Sequence, residues 1–328
     1  MTYGDVCAGI SAVSVAWHPL GMKPAFFAET DKFPSSVLKH HYADVPNAGD
    51  FTAIGANDYD PIDILVGGTP CQDFSVAGLR AGLDGDRGQL TIEFTKLAGR
   101  LRPRWLVWEN VPGVLSSDGG RAFGAFLGLL GKLGYGFSYR VLDAQNFGVP
   151  QRRRRVFVVG HLGDWRRAAA VLFERHSIGP AAGKSWGARE AMAYLDKEGI
   201  CCGIDGELNA REQLSGCLNT GSPSGGGTPA MVAINLRGRE HGANPEPDHL
   251  ASIRAADGGS SRSFVSDGAI VRRLTPRECE RLQGFPDDYT KISAKTADGP
   301  RYKALGNSMA VPVMRWIGER IQMVERVA

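Results

Sequence analysis

The chain has 328 residues, 43% of them hydrophobic and 22% charged, with a net charge of +3. That length suits one large domain plus a smaller one, and the composition is ordinary for a soluble globular enzyme. No run approaches the ~20 apolar residues of a membrane span, and six scattered cysteines do not make a disulfide framework. No basic, then apolar, then small-residue pattern opens the chain, so no signal peptide is expected and a reducing cytoplasm fits. Cys201-Cys202 has no His or second Cys pair at ligand spacing, so no metal is expected. Glycine stands out, at 43 of 328 residues, about twice the usual ~7%. The net charge is too small to establish a nucleic-acid partner. Its distribution says more, because Arg152 to Arg155 are consecutive and Arg166-Arg167 follow.

Thr2 to Val6 reads as a short strand ended by Cys7-Ala8-Gly9, and Ile10 to Trp17 as a helix start. Pro24 to Ala28 is the next strand, followed at once by Glu29, and Lys32 to His41 is helical. Ile62 to Val66 is an apolar, β-branched strand that stops at Gly67-Gly68. Thr69-Pro70 cannot continue a central strand, which sets Cys71 on a loop just past a strand end. Gly88 to Leu101 is helical, Trp105 to Trp108 is a strand ending in Glu109-Asn110, and Ala122 to Leu133 is a glycine-weakened helix. Tyr139 to Leu142 and Val156 to Val159 close the series as strands. Strands separated by helices predict βαβ units and a mostly parallel α/β sheet. Gly9, Glu29, Cys71 and Glu109 all follow strand C-termini, the edge where such sheets bind ligands.

Residues 161 to 270 are rich in Gly, Ser, Pro and Asn, a flexible insertion or a loop-rich small domain. Order returns near Arg272. Thr275 is an N-cap, Pro276 suits the first helical position, Glu278 completes a capping box, and the short helix ends at Leu282. Pro312 to Val324 reads as a final amphipathic helix. No internal repeat is visible.

A strand, a small-residue loop and a helix over Asp5 to Ala12 make a nucleotide-binding geometry, and an acid ending the next strand, Glu29, suits a ribose. A tight βα turn with a surface acid is an equal reading, and the full G-x-G-x-x-G pattern of dinucleotide binding is missing. Cys71 beside Glu109 makes a plausible thiol and proton-sharing carboxyl pair, while a buried structural thiol is the alternative. A free thiol ionises near pH 8.5, so a group nearby must activate it. The arginine run is either positive potential for that purpose or a solvated basic loop.

The order of segments closely resembles the DNA (cytosine-5) methyltransferases, almost end to end. D-V-C-A-G-I at 5 to 10 resembles the methyl-donor loop, F-F-A-E-T-D at 26 to 31 the second motif, and G-G-T-P-C-Q-D-F-S at 67 to 75 the nucleophile loop. G-D-R-G-Q-L at 85 to 90, W-E-N-V at 108 to 111 and N-F-G-V-P-Q-R-R-R-R-V-F-V-V-G at 146 to 160 follow. R-L-T-P-R-E-C-E-R-L-Q-G-F-P at 273 to 286 and Y-K-A-L-G-N-S-M-A-V-P-V at 302 to 313 complete the set.

The resemblance implies a doubly wound, Rossmann-like S-adenosylmethionine-dependent methyltransferase sheet with a smaller target-recognition domain. It sets a catalytic domain over residues 1–164 and 303–328 and a recognition domain over 165–302. Cys71 would add to C6 of a flipped-out cytosine, Glu109 would hold N3 and the exocyclic amine, and Arg155 would hold O2 with Arg153 in support. S-adenosylmethionine would lie along Asp5, Cys7, Ala8, Gly9 and Ile10, with Glu29 at the ribose, Asp50 near the adenine, and Thr30 and Phe51 among the residues that hold it. Pro70, Asn307 and Met309 complete the cofactor set. Gln72, Ser75, Asn110 and Gln151 would face the substrate. Arg237, Arg239, Arg254, Arg262 and Arg272 would reach guanine edges, or phosphates that carry no sequence information. Residues 78 to 83 would close over the flipped base. The implied partner is double-stranded DNA, engaged by a monomer in the cytoplasm, with no membrane and no metal.

Two departures stand out: Cys7 where the family usually has a Phe, and Ser11-Ala12 where it usually has Gly-Gly. Cys279, on the capped helix, is assigned to packing. Three alternatives stay open: a transfer-RNA methyltransferase of the same fold, a non-catalytic DNA-binding relative, and a thiol enzyme acting on a small nucleotide. The first lacks its C-F-T signature here, and an intact Cys71, Glu109 and Arg155 set stands against the second. The third would not need the long Gly-rich stretch.

Overall fold

The computed structural model describes residues 1–70, 89–173, 232–235, 250–251, 263–266 and 271–327. One six-stranded sheet is built from β1 (Thr2–Val6), β2 (Lys23–Ala28), β3 (Ile64–Gly67), β4 (Trp105–Asn110), β5 (Tyr135–Asp143) and β7 (Arg154–Leu162); the two-residue β6 (Gln151–Arg152) lies outside it. The order is β2-β1-β3-β4-β7-β5. β1 runs parallel to β2 and β3, and β3 parallel to β4, whereas β7 is antiparallel to both β4 and β5. Five of the six strands run the same way, as the alternation of elements suggests, and β7 alone is reversed, which makes the sheet mixed. The chain between β5 and β7 is too short for the helical crossover that a parallel pair requires, so β7 must return in the opposite sense.

The expected helices are present as α1 (Ala12–Trp17), α2 (Lys32–His41), α3 (Gln89–Leu101) and α4 (Arg121–Lys132). A further one, α5 (Trp165–Leu172), starts inside the stretch that composition marks as loop-rich. Asp164 caps it, its side chain accepting from Arg166 N–H. The two-residue period of the strands sorts the core. Val6, Leu65, Leu106, Trp108, Val156 and Val158 pack on Phe94, Leu97, Phe123 and Phe126 of α3 and α4. On the other face, Tyr3 meets Trp17 of α1 edge-on at 5.1 Å. The Trp17 indole N–H donates to the Met314 carbonyl, 2.7 Å away on the last helix, α8 (Val311–Arg326). Gly318 makes that contact possible, since a Cβ there would stand 2.5 Å from the Trp17 ring nitrogen. Helices thus cover both faces of the sheet, a doubly wound α/β arrangement.

The chain forms two compact units: Met1–Asp143, Arg154–Ala182 and Ser308–Ala328 in the first, Ala144–Arg153 and Gly183–Asn307 in the second. Helix α5 belongs with the first, where the Arg320 guanidinium donates to the carbonyls of Ala170, Val171 and Phe173.

In the second unit, β8 (Val232–Asn235), β10 (Ser263–Ser266) and β11 (Val271–Arg273) form an antiparallel sheet, and β9 (Leu250–Ala251) pairs in parallel with β6. Helix α6 (Pro276–Gln283) opens with the capping box the sequence spells out, Thr275 and Glu278 bonding each other's backbone N–H groups. It is tied to α7 (Asp298–Asn307) by a buried ion pair, Glu280 to Arg301 at 3.1 Å.

Candidate active site

The loop after β1 is held in conformations that side chains rarely adopt. Cys7, Gly9 and Ser11 all have positive φ, at 50°, 56° and 50°. A Cβ at Gly9 would meet nothing within 4 Å, so the backbone there faces open space. Two contacts fix the loop to β2. Ala8 N–H donates to the Ala28 carbonyl at 3.3 Å, and Gly9 N–H to Glu29 Oε2 at 2.8 Å. The other carboxylate oxygen of Glu29 accepts Asp31 N–H at 2.7 Å, and Asn47 bonds both the N–H and the carbonyl of Glu29. Thr30 beside it is exposed, Asp50 is exposed and caps the turn that buries Phe51, and Ile10 is fully buried.

Beneath the loop lies Asp5, only 1% exposed. Its Oδ2 is 2.7 Å from Ser11 Oγ, which is also 2.7 Å from Ser14 Oγ, and the Tyr3 hydroxyl lies 2.9 Å beyond that. Each hydroxyl has one hydrogen to give. With Ser11 donating to the carboxylate, Ser14 must donate to Ser11 and Tyr3 to Ser14, a chain of three hydroxyls ending on Asp5. Burial pushes the Asp5 carboxyl up to about 8 against the pull of the Ser11 bond, and the charge of Glu29 adds to the rise. Burial likewise pushes the Cys7 thiol up to about 12, helped by the negative charges of Glu29, Asp5 and Asp50. The carboxylates of Glu29 and Asp50 beside a half-buried loop with open backbone suit a ligand carrying positive charge, such as a sulfonium, with Glu29 already oriented for hydroxyls. Ser11 also explains one departure from the family pattern. Its hydroxyl engages Asp5 and accepts Ser14 N–H at 3.2 Å, bonds that hold a non-glycine residue in a left-handed conformation.

A second group of residues stands at the ends of β3 and β4. Thr69 is buried and held from three sides. Its hydroxyl meets Thr91 Oγ1 at 2.9 Å and accepts Trp108 Nε1–H at 3.0 Å, and its carbonyl accepts Asn110 Nδ2–H at 2.9 Å. Pro70, exposed, therefore departs from a fixed point. Glu109 is 8% exposed and paired with Arg155, Nε to Oε1 at 3.0 Å. A Cβ on Gly68 would stand 3.1 Å from both Glu109 Oε2 and Met309 Cε. Glu109, Arg155, Met309 and the root of the G-G-T-P-C loop thus come together in the first unit. Thr69, Ser14, Tyr3 and Asn47 are the members that the motif reading passes over, although Thr69 stands inside the nucleophile motif.

The arginine run is sorted by strand alternation: Gln151 and Arg153 are buried, Arg152 and Arg154 exposed, and Arg155 half-buried. In the second unit, Arg153 Nη2 donates to the Gly306 carbonyl at 3.1 Å. Asn307 ends α7 and is exposed. The Gln151 side chain is fully buried, and its amide has no hydrogen-bond partner among the described residues. Cys71, Gln72, Ser75, Arg237, Arg239, Arg254, Arg262 and the 78–83 stretch lie outside the described residues. Cys279 is packed in the interior, its thiol raised by burial to about 12. Among the described residues no helix is long and apolar enough to cross a membrane, and no group of His, Cys, Asp and Glu could hold a metal.

The family model for C-5 cytosine-specific DNA methylase matches residues 1–186 and 222–323. A protein of Escherichia phage P1 named DNA N-6-adenine-methyltransferase is 35% identical over 98% of this chain. The chain spans 61% of that relative's length. Type II methyltransferase M.SsoII of Shigella sonnei is 31% identical, covering 97% of this chain and 79% of its own. The crystal structure of the S. pombe Dnmt2 methyltransferase superposes with a TM-score of 0.66 at 16% identity, covering 100% of this chain and 99% of its own. At that identity it speaks for the fold alone.

Proposed function

The chain belongs to the C-5 cytosine-specific DNA methylase family, and from that premise we propose that it transfers a methyl group from S-adenosylmethionine to C5 of a cytosine flipped out of duplex DNA. The observation that carries the reading is the Glu109–Arg155 pair, with the Glu109 carboxylate against Gly68, three residues ahead of Cys71. S-adenosylmethionine supplies the electrophilic methyl when bound. The residues fitted to hold it are those of the β1 loop with Glu29, Asp50 and Phe51, joined by Pro70, Asn307 and Met309.

The cytosine ring is a poor carbon nucleophile until its aromatic character is lifted. The Cys71 thiolate does this by forming a bond to C6, which moves electron density onto C5, N3 and O2. Glu109 holds the proton at N3 and Arg155 meets charge at O2, two fixed groups facing the developing charge. Once C5 carries the methyl, loss of its proton to a base and departure of Cys71 from C6 restore the ring and the thiolate. A base stacked in a duplex is out of reach of all these groups, so extrusion must come first, at a cost of a few kcal/mol. Arg153, Gln72, Ser75, Asn110 and Gln151 are assigned around the base. The arginines at 237, 239, 254 and 262 are assigned to DNA, in a recognition domain that we take to be 165–302, served by the catalytic domain 1–164 and 303–328. A single chain is taken as the acting unit.

The phage P1 relative's name introduces a second reading, methylation of adenine N6. That exocyclic nitrogen reacts through its own lone pair and needs no thiolate. Labelled S-adenosylmethionine with unmethylated genomic DNA, followed by base-resolution mapping, separates the two. Label on cytosine C5 that is lost in Cys71→Ser supports the proposal; label on adenine that survives Cys71→Ser overturns it.

A further inference from the structure

The second unit contains a device that no motif spells out. Helix α7 leaves its last-turn carbonyls without helical partners, as every helix does. Two buried side chains take up two consecutive ones: Gln283 Nε2 donates to Leu305 O at 2.9 Å, and Arg153 Nη2 to Gly306 O at 3.1 Å. Gln283 is fully buried and Arg153 is 3% exposed. Gln283 Oε1 has no partner among the described residues, so the amide is oriented by the carbonyl it serves. The arginine charge also opposes the negative end of the helix dipole. Arg153 is anchored in turn by its own backbone, because its carbonyl accepts Ala144 N–H at 3.1 Å and closes the neck of the 144–153 segment. The very next residue after these carbonyls is Asn307, exposed at the helix end.

We propose that Gln283 and Arg153 are positioning residues: together they fix the end of α7 so that the Asn307 carboxamide is presented in one orientation to S-adenosylmethionine. This rests on the reading of Asn307 as a cofactor residue. It gives Arg153 a task other than support of Arg155, and it gives Gln283, which makes no claim on the cofactor or DNA itself, a role in the reaction.

The test is a double-mutant cycle on binding of S-adenosylhomocysteine, measured calorimetrically with Asn307→Ala, Gln283→Leu and the pair. Leucine keeps the volume of Gln283 and removes the donor. Each single change is expected to weaken binding about tenfold, the typical effect of one buried hydrogen bond lost. The pair should lose no more than Asn307→Ala alone, because the donor has nothing left to position. In turnover, Gln283→Leu should raise the cofactor KM while kcat at saturating cofactor stays within about twofold, the pattern of lost uniform binding. Losses that multiply in the pair would overturn the proposal, since Gln283 would then act independently of Asn307. Asn307→Ala with unchanged binding would overturn it too, together with the cofactor assignment of Asn307, while methyl transfer to DNA in the same protein would leave the function standing. If Gln283→Leu fails to fold, Arg153→Lys enters the same cycle at the neighbouring carbonyl, and the same two outcomes decide.

Discussion

The two strand-end regions of the first unit are built on opposite principles. The loop after β1 is held by bonds from backbone N–H groups to a half-buried carboxylate, Glu29, and by residues with positive φ. The root of the thiol loop is held by side chains buried on every side, Thr69, Trp108, Asn110 and Glu109. One is an open surface whose amides and carboxylates can be met by a ligand that comes and goes. The other is a dry platform whose Glu109 pairs with the half-buried Arg155. Binding strength should therefore be tunable at the first without touching chemistry, and chemistry at Glu109 of the second without touching binding.

The sharpest break of that division is Glu109→Gln. It keeps the shape and removes the charge and the proton-holding capacity, so methyl transfer should fall by roughly 10²- to 10⁴-fold, the range of a lost acid–base group. Affinity for S-adenosylhomocysteine should stay within about twofold by calorimetry. A comparable fall in both would mean that the two regions are one. Next in size is Thr69→Val, which removes the buried hydroxyl that accepts Trp108 Nε1–H and meets Thr91 Oγ1. Stability should drop by about 1–3 kcal/mol, the cost of lost buried hydrogen bonds, readable as a shift in the denaturant midpoint with unchanged slope. At the open loop, Glu29→Gln leaves a single acceptor for the Gly9 and Asp31 amides. Binding of S-adenosylhomocysteine should weaken roughly tenfold, as expected for bonds to a charged acceptor, while transfer at saturating cofactor is largely retained.

The division also explains what could be read in advance. β1 to β4 and their helices were legible because buried strands and amphipathic helices write their periods into the sequence, and because Gly, Pro and acids punctuate the strand ends. The reversed β7 was not legible. Val156 to Val159 has the same apolar run whichever way the strand points, and direction is set by the length of the connection behind it. Helix α5 was hidden by the glycine-rich composition around it, and α7 by its own Gly299, Pro300 and Gly306. Glu109 and Arg155 stand out as motif residues, yet their pairing needed the fold. Thr69 and the Tyr3–Ser14–Ser11–Asp5 chain draw no attention in a sequence, because a hydroxyl in a strand or loop carries no pattern. Only burial gives it a partner it cannot exchange for water.

Asp5 supplies the subtlest test, since it lies beneath the open loop yet is as buried as anything in the dry platform. Its folded value, about 8, is above the ordinary carboxyl value. The folded protein therefore holds a proton that the unfolded chain releases, and the stability this brings is complete below the unfolded value near 4 and lost as pH rises through about 8. Asp5→Asn should flatten the fall in melting temperature across that window. Ser11→Gly acts on the same group more gently. At low pH two effects should nearly cancel, relief of the left-handed backbone against loss of the hydroxyl bonds to Asp5 and Ser14 N–H, each about 1 kcal/mol or less. The hydroxyl is also what draws the Asp5 carboxyl downward. Removing it should make Asp5 keep its proton to higher pH, so the variant should melt with wild type at pH 5 and below it at pH above about 8, where an ionised Asp5 would stand without its donor. Parallel melting curves across the whole range would show that the Ser11 hydroxyl is a helix cap and nothing more.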